Sequence, residues 1–406
     1  MIKRQNNNSG LLLLSFIFSP LLAAIMILIQ VHSRKKCSLF LLALFMGFIS
    51  TYYFPIGDQF RWLNDLIYYR KASFSNAFDF SDIYIFRDFN LVSFFVYLSA
   101  KIGFSLEIIR CIIVTICYVL MFDIFKRINN SGLFENHSSS YRFISFLLLF
   151  FAVPYFLVCY GFRTGIGAAL FMYGFYLLVY EKRKESVIYL LLSVSCHIFY
   201  ILWIFFLLMA YIIPKKIGRG LFIISLILIL LASTTILFDY FYEKNELLDA
   251  LMDDYVYRSR DNVDRHDLII SIIAYWGLSV ITFFFIFIRN SKARVADNFI
   301  YIVFLSIALF FPFQVLLQRS LAAFVPIIVV YFTIYRDTIN AKYLAAKLLL
   351  ICLMFGFFTP FWRQRDMYSV SGLSNVLIYP APVYLFHTYE SEALRMVDSE
   401  GTLKTN

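Results

Sequence analysis

The sequence predicts an all-α, polytopic bundle of membrane-spanning helices, and three observations carry that prediction. Of its 406 residues, 61% are hydrophobic and only 15% charged, which excludes an ordinary soluble domain. Aromatic residues reach 20%, led by 48 Phe and 29 Tyr. Apolar runs of about 16 to 22 residues recur almost to the C-terminus, each close to the length a helix needs to cross hydrocarbon. The formal charge of +10 comes from small Lys/Arg groups between these runs, the pattern of short cytoplasmic loops rather than of a nucleic-acid surface.

Taken in order, the first run, Leu11 to Val31, follows Lys3 and Arg4 as a secretory signal would. It is long, contains Pro20, lacks a small-residue cleavage site and precedes Arg34-Lys35-Lys36, so it reads as a transmembrane helix. Six basic groups then fix the orientation: Arg34 to Lys36, Lys126/Arg127 with Arg142, Lys182 to Lys184, Lys215/Lys216/Arg219, Arg289/Lys292/Arg294 and Arg336/Lys342/Lys347. All face the cytoplasm under the positive-inside rule, so the connections between them need even numbers of crossings. Residues 143–180 satisfy this as a helical pair turning at Tyr160-Gly161, and residues 298–335 as a pair turning near Gln318-Arg319. Residues 187–213 amount to only about 40 Å of helix, and positive flanks on both sides favour two short helices meeting at Cys196-His197-Ile198. Residues 89–104 are apolar but short and read as a re-entrant or interfacial helix. Polar external loops are expected at 56–88 and 239–267 and after Trp362. The sum is roughly 12 crossings, within a range of about 11 to 13, with the N-terminus outside. Residues 1–386 form a single membrane domain and 387–406 a short polar tail.

The usual chemical signatures are absent: no phosphate-binding glycine loop, dinucleotide fingerprint, zinc-protease helix or serine-hydrolase elbow. No Asp-x-Asp pair is present to hold a cation against a nucleotide diphosphate, so the expected chemistry uses neither metal nor cofactor. The six Cys have no metal-ligand or disulfide spacing and read as small apolar residues.

What remains is a set of ionisable groups at helix ends on the outer face, where such groups are costly and functional by default. Arg163 opens a helix rich in small residues, Gly165, Gly167, Ala168 and Ala169, so a guanidinium fork and a helix N-terminus converge on one place suited to phosphate. The plainer alternative is an arginine reaching for lipid headgroups. Arg319 has the same placement. His197, alone in an apolar stretch, suits proton transfer, or else a hydrogen bond to a carbonyl. Asp58, after Gly57, suits deprotonation of a hydroxyl, or else a helix cap. Arg258 and Arg260 stand in the second external loop as candidate substrate contacts, with solvated surface as their alternative.

Gly57-Asp58, Arg163 with its small residues, the Glu181-Lys-Arg-Lys-Glu185 turn and Leu190-Leu-Leu-Ser-Val-Ser-Cys-His197 form an ordered set. With Leu317-Gln-Arg319 and Tyr379-Pro-Ala-Pro-Val-Tyr384, the chain resembles the EpsG-like, Wzy-type polysaccharide polymerases over roughly residues 11–386. Where that family commonly has Tyr four residues after the aspartate, this chain has Trp62, and its late proline-tyrosine pair is split as Pro380-Ala-Pro382. The resemblance implies a bacterial inner-membrane enzyme joining repeat units of O-antigen, capsule or exopolysaccharide on the periplasmic side. Its donor is an undecaprenyl-diphosphate-linked glycan, and a chain-length regulator is an implied partner alongside membrane lipid. Arg163, His197 and Asp58 are then the candidate catalytic residues, and Arg319, Tyr160, Trp62, Arg258 and Arg260 the candidate substrate contacts. Competing readings are an O-antigen ligase, a lipid-linked oligosaccharide flippase and a membrane acyltransferase acting on sugars.

Overall fold

Pro20 shapes the start of the chain. Helix α1 (Ser9–Phe18) and helix α2 (Pro20–Ile29) are separated by Ser19 alone. Ser19 N still donates to Ser15 O and Ala23 N to Ser19 O, so the helix continues through the break as one kinked element. Proline has no amide proton for Phe16 O, which is the cause of the kink. The computed structural model describes residues 9–29, 36–78, 90–133, 137–218, 220–227, 278–290, 293–309, 314–339, 342–363 and 379–398. The expected loop at 239–267, with Arg258 and Arg260, lies outside the described residues, as do Asp79, Asp82, Arg87 and Asp88.

The remaining elements are α3 (Lys36–Thr51), α4 (Asp58–Lys71), α5 (Phe74–Ala77), α6 (Leu91–Ile102), α7 (Leu106–Asn130), α8 (Ser139–Ala152), α9 (Tyr155–Tyr160) and α10 (Phe162–Val179). They are followed by α11 (Ser186–Cys196), α12 (Tyr200–Ile212), α13 (Leu278–Asn290), α14 (Arg294–Leu309), α15 (Gln314–Tyr335), α16 (Lys342–Arg363), α17 (Ala381–Phe386) and α18 (Glu390–Met396). No strand occurs among the described residues. Among the described residues four helical segments, Leu106–Asn130, Ser139–Tyr160, Phe162–Val179 and Lys342–Thr359, are long and apolar enough to cross a membrane, and five further apolar helices are shorter. The chain is an all-α, multi-pass membrane protein.

Two expectations need correction. Residues 56–88 are not simply loop: α4 is an amphipathic helix burying Gln59, Phe60, Trp62, Leu63, Leu66 and Tyr69. Its apolar residues recur at helical spacing, hidden in the sequence by interleaved charges. The break in 298–335 is not at Gln318-Arg319 either. Helix α14 ends at Leu309 and α15 begins at Gln314, so Arg319 stands inside α15, where a polar pair of good helix formers has no reason to break the helix. Helix α6, capped by Asn90 and ended by Gly103 at φ 88, has 12 residues. At about 18 Å it is shorter than the hydrocarbon core.

The chain forms two compact units. The first comprises Met1–Tyr173, Leu191–Ile198 and Phe361–Asn406. Its central pair is α3 against α7, which approach closely at Gly47, where a methyl group would lie 2.7 Å from Cys111 O. Helices α9 and α10 turn back on each other at Gly161, and a methyl group on Gly165 would lie 2.6 Å from Val158 Cα. Helix α7 sets two ends for this unit. Glu107 and Arg110 stand in its first turns, whereas near its C-terminus Asp123 accepts hydrogen bonds from Arg127 and from Tyr173 OH, both at 2.6 Å. The C-terminal segment packs into this unit through Tyr384, fully buried against Phe48 and Tyr52 with centroids at 5.2 and 5.4 Å.

The second unit comprises Gly174–Leu190 and Phe199–Pro360. Its core helix is α15, buried on every side from Leu321 to Phe332, as an all-round apolar helix must be. Leu190 lies on Gly174, and at the far end of α12 Tyr211 OH donates to Leu178 O at 3.4 Å. Both ends of residues 187–213 thus return to the last turns of α10, with the helical break at 197–199 between them. Basic groups gather at that end: Lys216 pairs with Asp297 at 2.7 Å, and Arg294 donates to Ile213 O and Pro214 O at 3.1 and 3.0 Å.

Candidate functional site

The candidate site lies in the first unit, at the end of α7 opposite Lys126 and Arg127. It is built outward from a buried cation. Arg110 is fully buried and makes four hydrogen bonds. Its Nη1 donates to Ser50 O, in the last turn of α3, at 2.9 Å and to Tyr53 O, two residues past the helix end, at 2.5 Å. Its Nε and Nη2 donate to Gln59 Oε1 at 3.1 and 2.9 Å. Gln59, also fully buried, passes the connection on, its Nε2 donating to Tyr160 O at 2.9 Å.

Around this tie stand four of the residues singled out from the sequence. Gly57 has φ 56, and a Cβ on it would meet the Tyr160 hydroxyl and lie 3.0 Å from Tyr160 Cζ. Only glycine suits that position, in conformation and in space. Asp58 opens α4, where the helix dipole favours a carboxylate; its side chain is 39% exposed and touches Arg61 at 3.4 Å. Gly57 supplies no side-chain cap, and Asp58 occupies the first helical position rather than the cap. Trp62 is one turn further along the same face and packs on Phe162 with centroids at 5.8 Å. Arg163, half-buried in the first turn of α10, places its guanidinium carbon 5.8 Å from the centre of the Trp62 ring. Such a cation on an indole face is oriented as well as charged.

His197 belongs to the same unit. The preceding Cys196 is fully buried within electrostatic reach of Cys117, whose Sγ is 3.9 Å from Gly165 O, two residues beyond Arg163. Arg319 belongs to the second unit, about 18 Å of helix away from Tyr331, which donates to Asp297. Chemically, the site offers an aromatic face, a fork for phosphate and an acceptor for a hydroxyl proton. Among the described residues no three His, Cys, Asp or Glu gather as metal ligands.

The sequence reading passed over Arg110, Gln59 and Glu107. Arg110 and Glu107 carried the same signal as Arg163, an ionisable side chain within an apolar run. Glu107 is buried, with Oε1 accepting from Tyr389 N at 3.1 Å and Oε2 without a hydrogen-bond partner among the described residues. No family model matches the chain, and no curated protein or solved structure matches it significantly.

Proposed function

We propose that the protein polymerises lipid-linked glycan repeat units in the bacterial inner membrane. The growing chain moves from undecaprenyl diphosphate to a hydroxyl at the non-reducing end of a new unit, on the periplasmic face. The observation that carries this reading is Arg163 held over Trp62 with Asp58 one turn earlier on α4. The placement of the site opposite Lys126 and Arg127 supports the outward face, because basic residues mark the cytoplasmic one.

In the proposed step Asp58 accepts the proton of the attacking hydroxyl, and the oxygen forms a bond to the anomeric carbon of the donor. The bond from that carbon to the diphosphate breaks, and its electron pair leaves on the phosphate oxygen. Arg163 meets the charge that develops there; one preorganised donor at such a position contributes about 3 kcal/mol to the transition state. Trp62 supplies a face for a sugar ring, and His197 a proton to the departing group.

Deletion of the gene tests the reading: surface glycan is expected to remain as single repeat units. Unchanged long chains in the deletion strain would refute it. Arg163→Lys keeps the charge and loses the planar fork, so it is expected to lose at least tenfold in polymer at matched expression. An arginine that only reaches headgroups would tolerate lysine, and normal chain lengths would remove Arg163 from the reaction.

A further inference from the structure

We infer that Gln59 is a positioning residue: by joining Arg110 to the Tyr160 carbonyl through one buried amide, it fixes where Asp58 and Trp62 stand relative to Arg163. For turnover this rests on the proposed glycan transfer; for geometry it does not.

The amide fits in one orientation only. Its oxygen faces a guanidinium that can only donate, and its nitrogen faces a carbonyl that can only accept. A reversed amide would set donor against donor and acceptor against acceptor. Asp58 precedes Gln59 by one residue and Trp62 follows it by three, all on the rigid first turns of α4. Tyr160 precedes Arg163 by three residues, joined to it through Gly161, whose φ of -117 and ψ of 81 break the helix between α9 and α10. That junction has no helical continuity to hold Arg163 over Trp62. Contacts across it must do so, and the Gln59 bond to Tyr160 O, part-buried and made by a fully buried side chain, has charge-assisted support behind it. Arg110 in turn stands in α7 and is fastened to Ser50 O in the last turn of α3 and to the buried Tyr53 just after it, so the tie ends at the packed α3–α7 pair. Displacement of a reacting group by about 1 Å is enough to cost about 100-fold in rate, so a tie of this kind has a kinetic signature.

Gln59→Glu is the test. It keeps an oxygen toward Arg110, and the guanidinium accepts the added charge, while the second oxygen is set against the Tyr160 carbonyl. The variant is read in the full-length protein, with Trp203, Trp276 and Trp362 replaced by Phe so that Trp62 alone reports. The expected result is normal insertion, at least a twofold change in iodide quenching of Trp62, and at least a tenfold fall in turnover of lipid-linked units with KM within twofold. As the pH is lowered, a protonated carboxyl can donate to Tyr160 O again, so turnover relative to the parent is expected to recover. A merely structural role predicts no such acid recovery. Unchanged quenching together with turnover within twofold of the parent would overturn the inference. If the parent itself does not polymerise, the proposed function falls and the quenching alone decides: a moved Trp62 supports the tie and an unmoved one refutes it. Should Gln59→Glu fail to accumulate, Gln59→Met, of the same length and uncharged, is read by the same two measurements.

Discussion

Each of the two units holds a fully buried charge, Arg110 in the first and Asp297 in the second, and the two are satisfied in different ways. Arg110 in the first unit gives its hydrogen bonds to two backbone carbonyls and an amide oxygen. Asp297 in the second has the Lys216 ammonium at 2.7 Å and the hydroxyl of Tyr331. The difference follows from what each charge must hold. The end of α3 exposes carbonyls with no partner further along the helix, and a guanidinium fork matches several at once. The start of α14 faces the 215–217 segment, and one ion pair with Asn298 bonding Lys215 O and Ile217 N pins it there. Arg110 is fully buried with its donors committed to the scaffold, and Arg163 and Asp58 are each only partly buried.

If this contrast holds, Arg110→Met produces the largest effect. The variant keeps a long stem but strands the oxygens of Ser50, Tyr53 and Gln59, each costing about 1–3 kcal/mol when buried without a donor. A loss of about 3 kcal/mol or more is expected in thermal unfolding of the detergent-solubilised protein. A loss below about 1 kcal/mol would mean that water replaces the guanidinium and that the end is less well packed than its burial implies. Asp297→Asn is expected to cost less, about 1 kcal/mol, since the amide oxygen still accepts from Tyr331. Lys216, 36% exposed, can turn its ammonium to water. Equal losses from the two variants would erase the distinction between a saturated cation and an ion pair with one wet partner.

The same contrast explains what was legible in the sequence. The apolar runs gave the helices, and the lone polar break at Cys196-His197 gave the pair of short helices, because burial and helix length are written directly in side-chain chemistry. Asp58, Trp62, Tyr160 and Arg163 could be picked out because each has a distinctive side chain next to a glycine or a helix start. Arg110 was as visible as Arg163, but its partners were not: the carbonyls of Ser50 and Tyr53 have no sequence signature. Gln59 is neutral and unremarkable in type, and only its depth gives it importance. Helix α4 was hidden because Asp58, Arg61, Asp65 and Arg70 punctuate its apolar face. Arg319 was misplaced because polarity was read as a turn, where α15 carries it as an ordinary helical residue.

The smallest expected effect concerns the C-terminal segment, which carries a histidine that packs into the first unit. His387 stacks on Tyr52 with centroids at 4.7 Å and meets Tyr389 edge-on at 4.2 Å, while Tyr389 N donates to Glu107. Burial holds the His387 imidazole below its ordinary value of 6.5, with Glu107 and Glu392 pulling weakly the other way. A histidine whose docked pKa is depressed takes up a proton more readily when undocked. The docking is therefore at full strength above the undocked pKa and is lost as the pH falls through the docked one. A cysteine in place of Val397, which is 2% exposed, is expected to label faster relative to an Arg183→Cys reference site at about pH 5 than at about pH 7.5 in proteoliposomes, the ratio removing the fall in thiolate common to both. His387→Phe keeps both ring contacts and removes the proton, so its labelling ratio should be level across that range. A lower ratio in the parent at acid pH would show that Glu107 and Glu392 outweigh burial, reversing the sign of the effect and making the segment an acid-tightened clasp.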